Sequence, residues 1–470
     1  MQKMTKIIEL DQYPPIENIY TYFNKDENSV FLDSSLKNEL GRYSIIGLNP
    51  YLKLVQKYDG FYVNDELKKN TLIDFLSQYL KDNKEDNKTD IPLISGAIAY
   101  FSYDYGMDIM GIKSRHKDQL EIDKARVYFY DNFLIEDLYK KKLYIISNGK
   151  LEEKEKSSNK LLQIIEIANS KKNEAKNKDK SEIIKEQNEN YSLSSNFCKK
   201  DYKEAIDKMI HYIIEGDIYI VNMTRQICIE CGIDPYEFFT ILRKNNPSPF
   251  GAYMNYDGFK IISASPERFL LNKNGNLLTR PIKGTRKRGE DPYEDQLLKE
   301  ELKNSDKDKS ELLMIVDLER NDLNKICTPG SVIVEDLFDV ETYATVFHLV
   351  AQIKGKLKDE YNFADILKAS FPGGSITGSP KYRAMELSDQ VEASRRNIYT
   401  GSIGYISLNG DCDLNIVIRT ALYKDRKYHI GVGGGITCES NLEFEYEETE
   451  QKAKALLNAL NCVKRGGQCG

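Results

Sequence analysis

Short apolar runs alternating with polar turns dominate residues 7–148, a period-two pattern that predicts strands. The clearest fall at 31–34, 43–47, 51–55 and 96–101, with a helical stretch near 72–80. From about 149 to 190, Lys, Glu, Asn and Ser take over around one helical pattern of Leu161, Leu162, Ile164, Ile165 and Ile167. Low hydrophobicity on both sides of that helix marks a boundary. The expected organisation is an amino-terminal region at 1–150, a polar linker at 151–195 and a second domain at 196–465.

The second half opens on a helix whose apolar face is Ile206, Met209, Ile210 and Ile213. Asp201 with Glu204 has the form of a capping box, and Gly216 supplies the stop. Strands are expected at 218–221, 251–254 and 260–263. Pro292 starts one helix, and a second begins near Asp306 and carries Glu311. The β-branched run 345–350 reads as a strand. The loop 371–379 leads into Pro380, with Ser379 as expected N-cap of a helix bearing Lys381 and Arg383, an arrangement suited to anions. Strands at 401–408, 414–423 and 428–437 follow. The last holds Gly431-Val432-Gly433-Gly434-Gly435, where missing side chains let backbone N–H groups approach a ligand. A final helix at about 442–460 stacks Glu445, Glu448 and Lys452 on one polar stripe, which taken alone is an ordinary wet helix face.

Composition narrows the chemistry. The chain has 470 residues, ample for a large buried core, and a net charge of −6 with both signs spread along it. That balance argues against a nucleic-acid binder and a polybasic membrane anchor, and favours small-molecule chemistry. No apolar run approaches the roughly 18–20 residues that span a bilayer, and residues 1–10 lack an apolar signal core, so a cytoplasmic protein is expected. Eight scattered cysteines fit reduced thiols. Cys228-Ile229-Glu230-Cys231 has redox or zinc spacing but no second pair.

Chemistry concentrates at Thr279-Arg280-Pro281-Ile282-Lys283-Gly284-Thr285-Arg286-Lys287-Arg288-Gly289. Pro281 and Gly284 bracket Lys283, so the lysine is expected to be held out of regular structure and aimed at a pocket. Arg286-Lys287-Arg288 reads equally as a basic surface patch.

Five segments in order, Ser265-Pro266-Glu267-Arg268-Phe269, Pro281-Ile282-Lys283-Gly284-Thr285-Arg286, Asp317-Leu318-Glu319-Arg320-Asn321-Asp322-Leu323, Gly374-Ser375-Ile376-Thr377-Gly378-Ser379-Pro380-Lys381 and Gly433-Gly434-Gly435-Ile436, resemble the chorismate-utilising enzymes. That family holds anthranilate synthase and aminodeoxychorismate synthase large subunits, isochorismate synthases and salicylate synthases. The likeness is strong over about 201–460 and looser before it. It implies an α/β fold of the α+β type, two facing and mainly antiparallel sheets flanked by outer helices, with the active site in a cleft of the second half. Within the family, anthranilate synthases carry alanine at position 283, whereas aminodeoxychorismate synthases carry lysine, as here. The resemblance therefore implies an aminodeoxychorismate synthase large subunit of para-aminobenzoate and folate biosynthesis, with an anthranilate synthase large subunit as the alternative. Isochorismate synthases place a water-activating lysine where this chain has Ile220. The glutamine that amino-transferring members often show there is absent too.

The same resemblance assigns roles. Chorismate is a dianion whose 4-hydroxyl must leave, which calls for charge neutralisation, an acid and a nucleophile. Glu311 and Glu448 are implied to hold Mg²⁺, with Glu445 nearby. Arg419, Tyr399 and the N–H groups around Gly433 and Gly435 are implied to hold the enolpyruvyl carboxylate. Lys452 adds charge near the metal, and Ser375 with His348 lines the ring, although His348 reads equally as a satisfied strand histidine. Lys283 is the implied nucleophile and Glu267 the acid. The sequence contains no Gly-x-Cys-x-Gly elbow, so ammonia is expected from a separate glutamine amidotransferase subunit. Some relatives have an amino-terminal tryptophan pocket, and Phe31-Leu32-Asp33-Ser34 and Asn246-Pro247-Ser248-Pro249-Phe250 resemble its walls imperfectly.

Overall fold

A long bent ribbon, strand Tyr43–Gln56 paired with Ala125–Asp137, joins the two halves of the β-structure. The bend falls where the register shifts between Pro50 and Leu52, next to Asn49 at φ 59°. A computed structural model of the chain describes residues 5–175, 192–342 and 346–464. Its strands form one hydrogen-bonded network in which every pairing is antiparallel.

From one end of the ribbon the pairing passes through Gly96–Phe101, Ser402–Ser407, Cys412–Asn415, Arg268–Lys273 and Asn276–Thr279 to Val346–Lys356. From the other end it passes through Val30–Asp33, Phe250–Tyr256, Phe259–Ser265, Thr420–Lys424 and Lys427–Ile436 to Ile220–Glu230. The two arms are sheets that face each other. Alternate residues of each point into a shared core, where the Tyr100 and Tyr128 rings lie 5.7 and 5.6 Å from the Tyr256 ring. The other face of the first arm, with Ala97, Ala99 and Phe101, packs under helices Leu72–Asp82, Asp306–Ile326 and Phe363–Ser370. That of the second, with Ile262, Ala264 and Ile430, packs under Pro235–Asn245 and Leu442–Lys464. The expected architecture of two facing sheets with outer helices is the one observed.

Residues 5–150 have no sheet of their own, since Val30–Asp33 pairs with Phe250–Tyr256 and Gly96–Phe101 with Ser402–Ser407. The stretch expected as a linker at 151–195 is in good part built into the fold. Helix Lys154–Ala175 buries Leu161, Ile165 and Ala168, and Ser192–Ser195 pairs with Ile227–Glu230. The rest of it, 176–191, lies outside the described residues, as does Thr345 of the expected strand 345–350.

Several local expectations are corrected. The helix expected to be capped at Asp201 starts at Lys199 and is capped by Cys198, whose Sγ accepts from the Asp201 N–H. Ser379 does not cap the next helix. It bridges to Ile220, and Lys381–Val391 follows Pro380 without a side-chain cap. Lys381 is buried against Asp322 and the carbonyls of Ser370 and Pro372. Six described cysteines are free thiols, but Cys462 is disulfide-bonded, contrary to the expectation of reduced thiols throughout. No helix among the described residues is long and apolar enough to cross a membrane.

Candidate active site

Lys283 lies in regular structure, on strand Ile282–Lys287 paired with Val346–Lys356. What aims it is a bulge. The register slips by one between Lys283 and Thr285, with Gly284 as the extra residue at φ +68°. Only glycine fits there, because a Cβ would come within 2.8 Å of Asp308 Cγ and Leu302 Cδ1. The expectation that Lys283 stands outside regular structure is thus corrected.

Lys283 Nζ donates to the Ser375 carbonyl at 3.2 Å, and Ser375 Oγ donates to Glu267 Oε1 at 2.7 Å. Amine and carboxyl therefore meet through a single residue of the 3₁₀ turn Gly374–Ile376. Glu267 is buried, and burial raises its pKa while Ser375, Lys283, Lys452 and Arg419 pull the other way. A carboxyl whose hold on its proton is strengthened by burial, set beside an amine, is suited to acid catalysis.

Arg419 enters from a break in what local sequence presents as one strand, 414–423. Two strands form instead, Cys412–Asn415 and Thr420–Lys424, with Arg419 between them at φ +49°. The Ile416 carbonyl accepts from Ser265 Oγ and its N–H donates to the Glu267 carbonyl, so the loop carrying Glu267 takes the groups a ladder would have used. Arg419 is accessible from the cleft while ringed by protein, and that desolvation lowers its pKa against the pull of Glu267.

The glycine strand Lys427–Ile436 runs along the floor. A methyl at Gly435 would lie 3.6 Å from Lys283 Nζ and 3.7 Å from Glu311 Oε2, and one at Gly434 would press within 2.6 Å of Glu448 Oε2 and 3.2 Å of Glu445 Oε2. Lysine and acids thus crowd a backbone that has no side chains. Burial raises the pKa of Glu445 to about 7, with Glu448 and Glu311 adding to it and Ser440 and Lys307 opposing. Burial also raises Glu311, with Lys283 and Lys307 opposing. Lys452 Nζ donates to the Gly433 carbonyl at 2.8 Å and stands 3.2 Å from Glu448.

His348 lies on Val346–Lys356, where its Nδ1 meets Thr285 Oγ1 at 2.9 Å. Burial and then Arg419 lower its pKa to about 4, so the ring is neutral at pH 7. It is a satisfied strand histidine and also faces the cleft. Tyr399 joins it there, its phenol pKa raised by burial.

All of these residues line one cleft of about 350 Å³, within the range of small-molecule sites. It takes in Lys283, Glu267, Ser375, His348, Tyr399, Arg419, Gly433, Gly435, Glu311, Glu445, Glu448 and Lys452, every residue to which the resemblance gave a role at the substrate or metal. Lys307 and Asn222 are among the lining residues that were missed. Lys307 stands 3.9 Å from both Glu311 and Glu445, and its place one turn before Glu311 was a readable signal. Asn222 left no local mark.

Among the described residues, no group of three His, Cys, Asp or Glu side chains could hold a metal by itself. A Mg²⁺ ion binds through one or two carboxylates and fills its shell with water and substrate oxygens, and carboxylates gathered at one end of a cleft gain from a cation. Glu311 and Glu448 fit that mode. Arg286–Arg288 is not a free basic patch, since Arg286 pairs with Glu301 and Asp308, and Arg288 with Asp295. The two segments likened to a tryptophan pocket do meet: Leu32, Asp33, Ser34, Pro249 and Phe250 line a cavity of about 70 Å³. That is well below the ~300 Å³ at which small-molecule sites begin.

The family model described as chorismate binding enzyme matches residues 30–458. The chain belongs to the chorismate binding enzymes. It is 34% identical to anthranilate synthase component 1 of Acetivibrio thermocellus, over 96% of this chain and 94% of that protein. It is 35% identical to aminodeoxychorismate synthase component 1 of Bacillus subtilis (strain 168), over 89% of each. Among solved structures, anthranilate synthase component I from Streptococcus pneumoniae TIGR4 superposes with a TM-score of 0.78 at 28% identity, covering 90% of this chain and 93% of that one.

Proposed function

We propose that this chorismate binding enzyme is the large subunit of an aminodeoxychorismate synthase. It would convert chorismate and ammonia to 4-amino-4-deoxychorismate, for para-aminobenzoate and folate synthesis in the cytoplasm. The observation that carries this reading is the Lys283 amine, joined to the buried Glu267 carboxyl through Ser375.

The neutral Lys283 amine forms a C–N bond to the ring while the C4–O bond breaks and Glu267 gives its proton to the departing hydroxyl, which leaves as water. Ammonia then forms the new C–N bond, lysine leaves with its electron pair, and the surplus ammonium proton returns to Glu267. Every group is regenerated, and the net exchange is hydroxyl for amine. Arg419, Tyr399 and the N–H groups at Gly433 and Gly435 hold the enolpyruvyl carboxylate. Ser375 and His348 position the ring, and Lys452 adds positive charge. Glu311 and Glu448, with Glu445 beside them, would hold Mg²⁺, which would supply positive charge for the ring carboxylate. Ammonia comes from a separate glutamine amidotransferase subunit, in keeping with relatives named component 1.

Relatives of nearly equal identity are named for both activities, which keeps an anthranilate synthase large subunit as the second reading. Incubation with chorismate, Mg²⁺ and ammonium, followed by mass analysis, separates them. Anthranilate fluorescence without an added lyase would decide for the second reading, whereas a non-aromatic aminated product is the expected result.

Glu311→Gln and Glu448→Gln are each expected to lower Mg²⁺-dependent turnover by more than about 100-fold, since even outer-shell partners of a metal cost about 10–100-fold. Full activity in either variant would remove that residue from the metal site.

A further inference from the structure

Asn222 is a polar group of the cleft that the proposed amination leaves unused. It sits on strand Ile220–Glu230 directly opposite Gly435. Its N–H donates to the Thr377 carbonyl at 2.8 Å, and its C=O accepts from Arg396 Nη2 at 2.7 Å. With both backbone groups engaged away from the glycine strand, Asn222 and Gly435 form a non-hydrogen-bonded pair, the kind in which side chains on one face stand closest. Gly435 reveals where that face points, because a methyl built on it would reach Lys283 Nζ and Glu311 Oε2. Ile220, two residues earlier on the same face, agrees, with its Cδ1 3.8 Å from the same point. Gly435 has no side chain to stand against the Asn222 amide, and Asn222 lines the cleft. Its Nδ2 is shielded from water and has no acceptor among the described residues.

An unanswered buried donor costs stability, so a fold that keeps one at the wall of a binding cleft holds it for a ligand. We propose that Asn222 is a substrate-binding residue, its Nδ2 donating a hydrogen bond to an oxygen of bound chorismate beside the Lys283 amine. This rests on the reading of the cleft as a chorismate site. The substrate's heteroatoms are all oxygens, in two carboxylates, an ether and a hydroxyl, so a donor is the complementary group. Ammonia delivered as ammonium would need an acceptor instead.

The test compares wild type with Asn222→Leu, nearly the same size without the donor, and Asn222→Asp, the same shape with an acceptor and a negative charge. Chorismate binding is measured by titration calorimetry with Mg²⁺ and without ammonia, alongside Tm and the KM values for chorismate and ammonium. Asn222→Leu is expected to weaken chorismate binding about tenfold or more and to raise its KM with a smaller change in kcat. The ammonium KM should be unchanged, and Tm should not fall, because no hydrogen bond of the free protein is lost. Asn222→Asp should bind the dianion more weakly still. Wild-type affinity in Asn222→Leu, a change confined to the ammonium KM, or a lowered Tm with chorismate binding intact would each overturn the assignment. Wild-type protein that does not bind chorismate would bring down the reading of the cleft, and this assignment with it.

Discussion

Replacement of Lys283 by alanine is expected to slow ammonia-dependent amination of chorismate by on the order of 10³-fold or more, the scale of loss when a positioned nucleophile is removed. The amine is held at 3.2 Å from the Ser375 carbonyl, and the hydroxyl of the same residue reaches Glu267 at 2.7 Å. Amine and carboxyl are therefore registered to one turn, and alanine removes the first while leaving the second in place. Chorismate binding should persist, because Arg419, Tyr399 and the glycine strand do not depend on Lys283. With ammonia withheld, wild-type protein should accumulate an adduct of chorismate less one water, visible by intact mass and mapping to Lys283. The alanine variant should show none. Wild-type turnover in that variant would remove Lys283 from the chemistry.

The second large effect is on stability. Glu319, on helix Asp306–Ile326, is buried behind the Ser375 turn, with its Cγ 3.2 Å from where a Cβ on Gly374 would stand. Among the described residues its Oε2 has no hydrogen-bond partner. Burial raises its pKa to about 8 from 4.5, with Glu267 and Asp322 adding to the rise and Thr279 and Lys381 opposing it. Below pH 4.5 the carboxyl is protonated in both folded and unfolded chains and contributes no pH dependence. Between 4.5 and 8 the unfolded chain has released the proton while the folded chain retains it, so stability falls as pH rises. Above 8 the full cost is present, on the order of 5 kcal/mol at about 1.4 kcal/mol per unit. Glu319→Gln cannot ionise. It should match wild type near pH 5 and exceed it increasingly up to pH 9, as read from urea midpoints across that range. A difference between the two proteins that does not grow with pH would contradict this account.

Where the chain misleads a local reading, the cause is competition for backbone groups. The run Ile416-Val417-Ile418 has every local mark of a strand interior, yet the Ile416 carbonyl and N–H are taken by Ser265 and Glu267, more than a hundred residues away in sequence. The strand breaks, and Arg419 turns into the cleft as a result. The Asp201 capping box failed for a different reason. Its three-residue spacing is degenerate, and Cys198 stood one turn earlier with a free Sγ. Lys381 looked like an anion ligand only while its buried partner Asp322 was unknown.

Amino-acid order by itself determined the alternation that makes antiparallel strands, the amphipathic faces that cover them, and the chemical groups of the cleft, because periodicity and residue type are local properties. Folding alone decided which of those groups meet. The Gly284 bulge, the break at Arg419 and the side-chain-free stretch at Gly434 and Gly435 bring Lys283 and the three glutamates together, and Asn222 takes its place at the cleft wall opposite a glycine across the ladder. Such placements depend on hydrogen bonds and steric gaps between segments far apart in sequence, which no window along the chain contains.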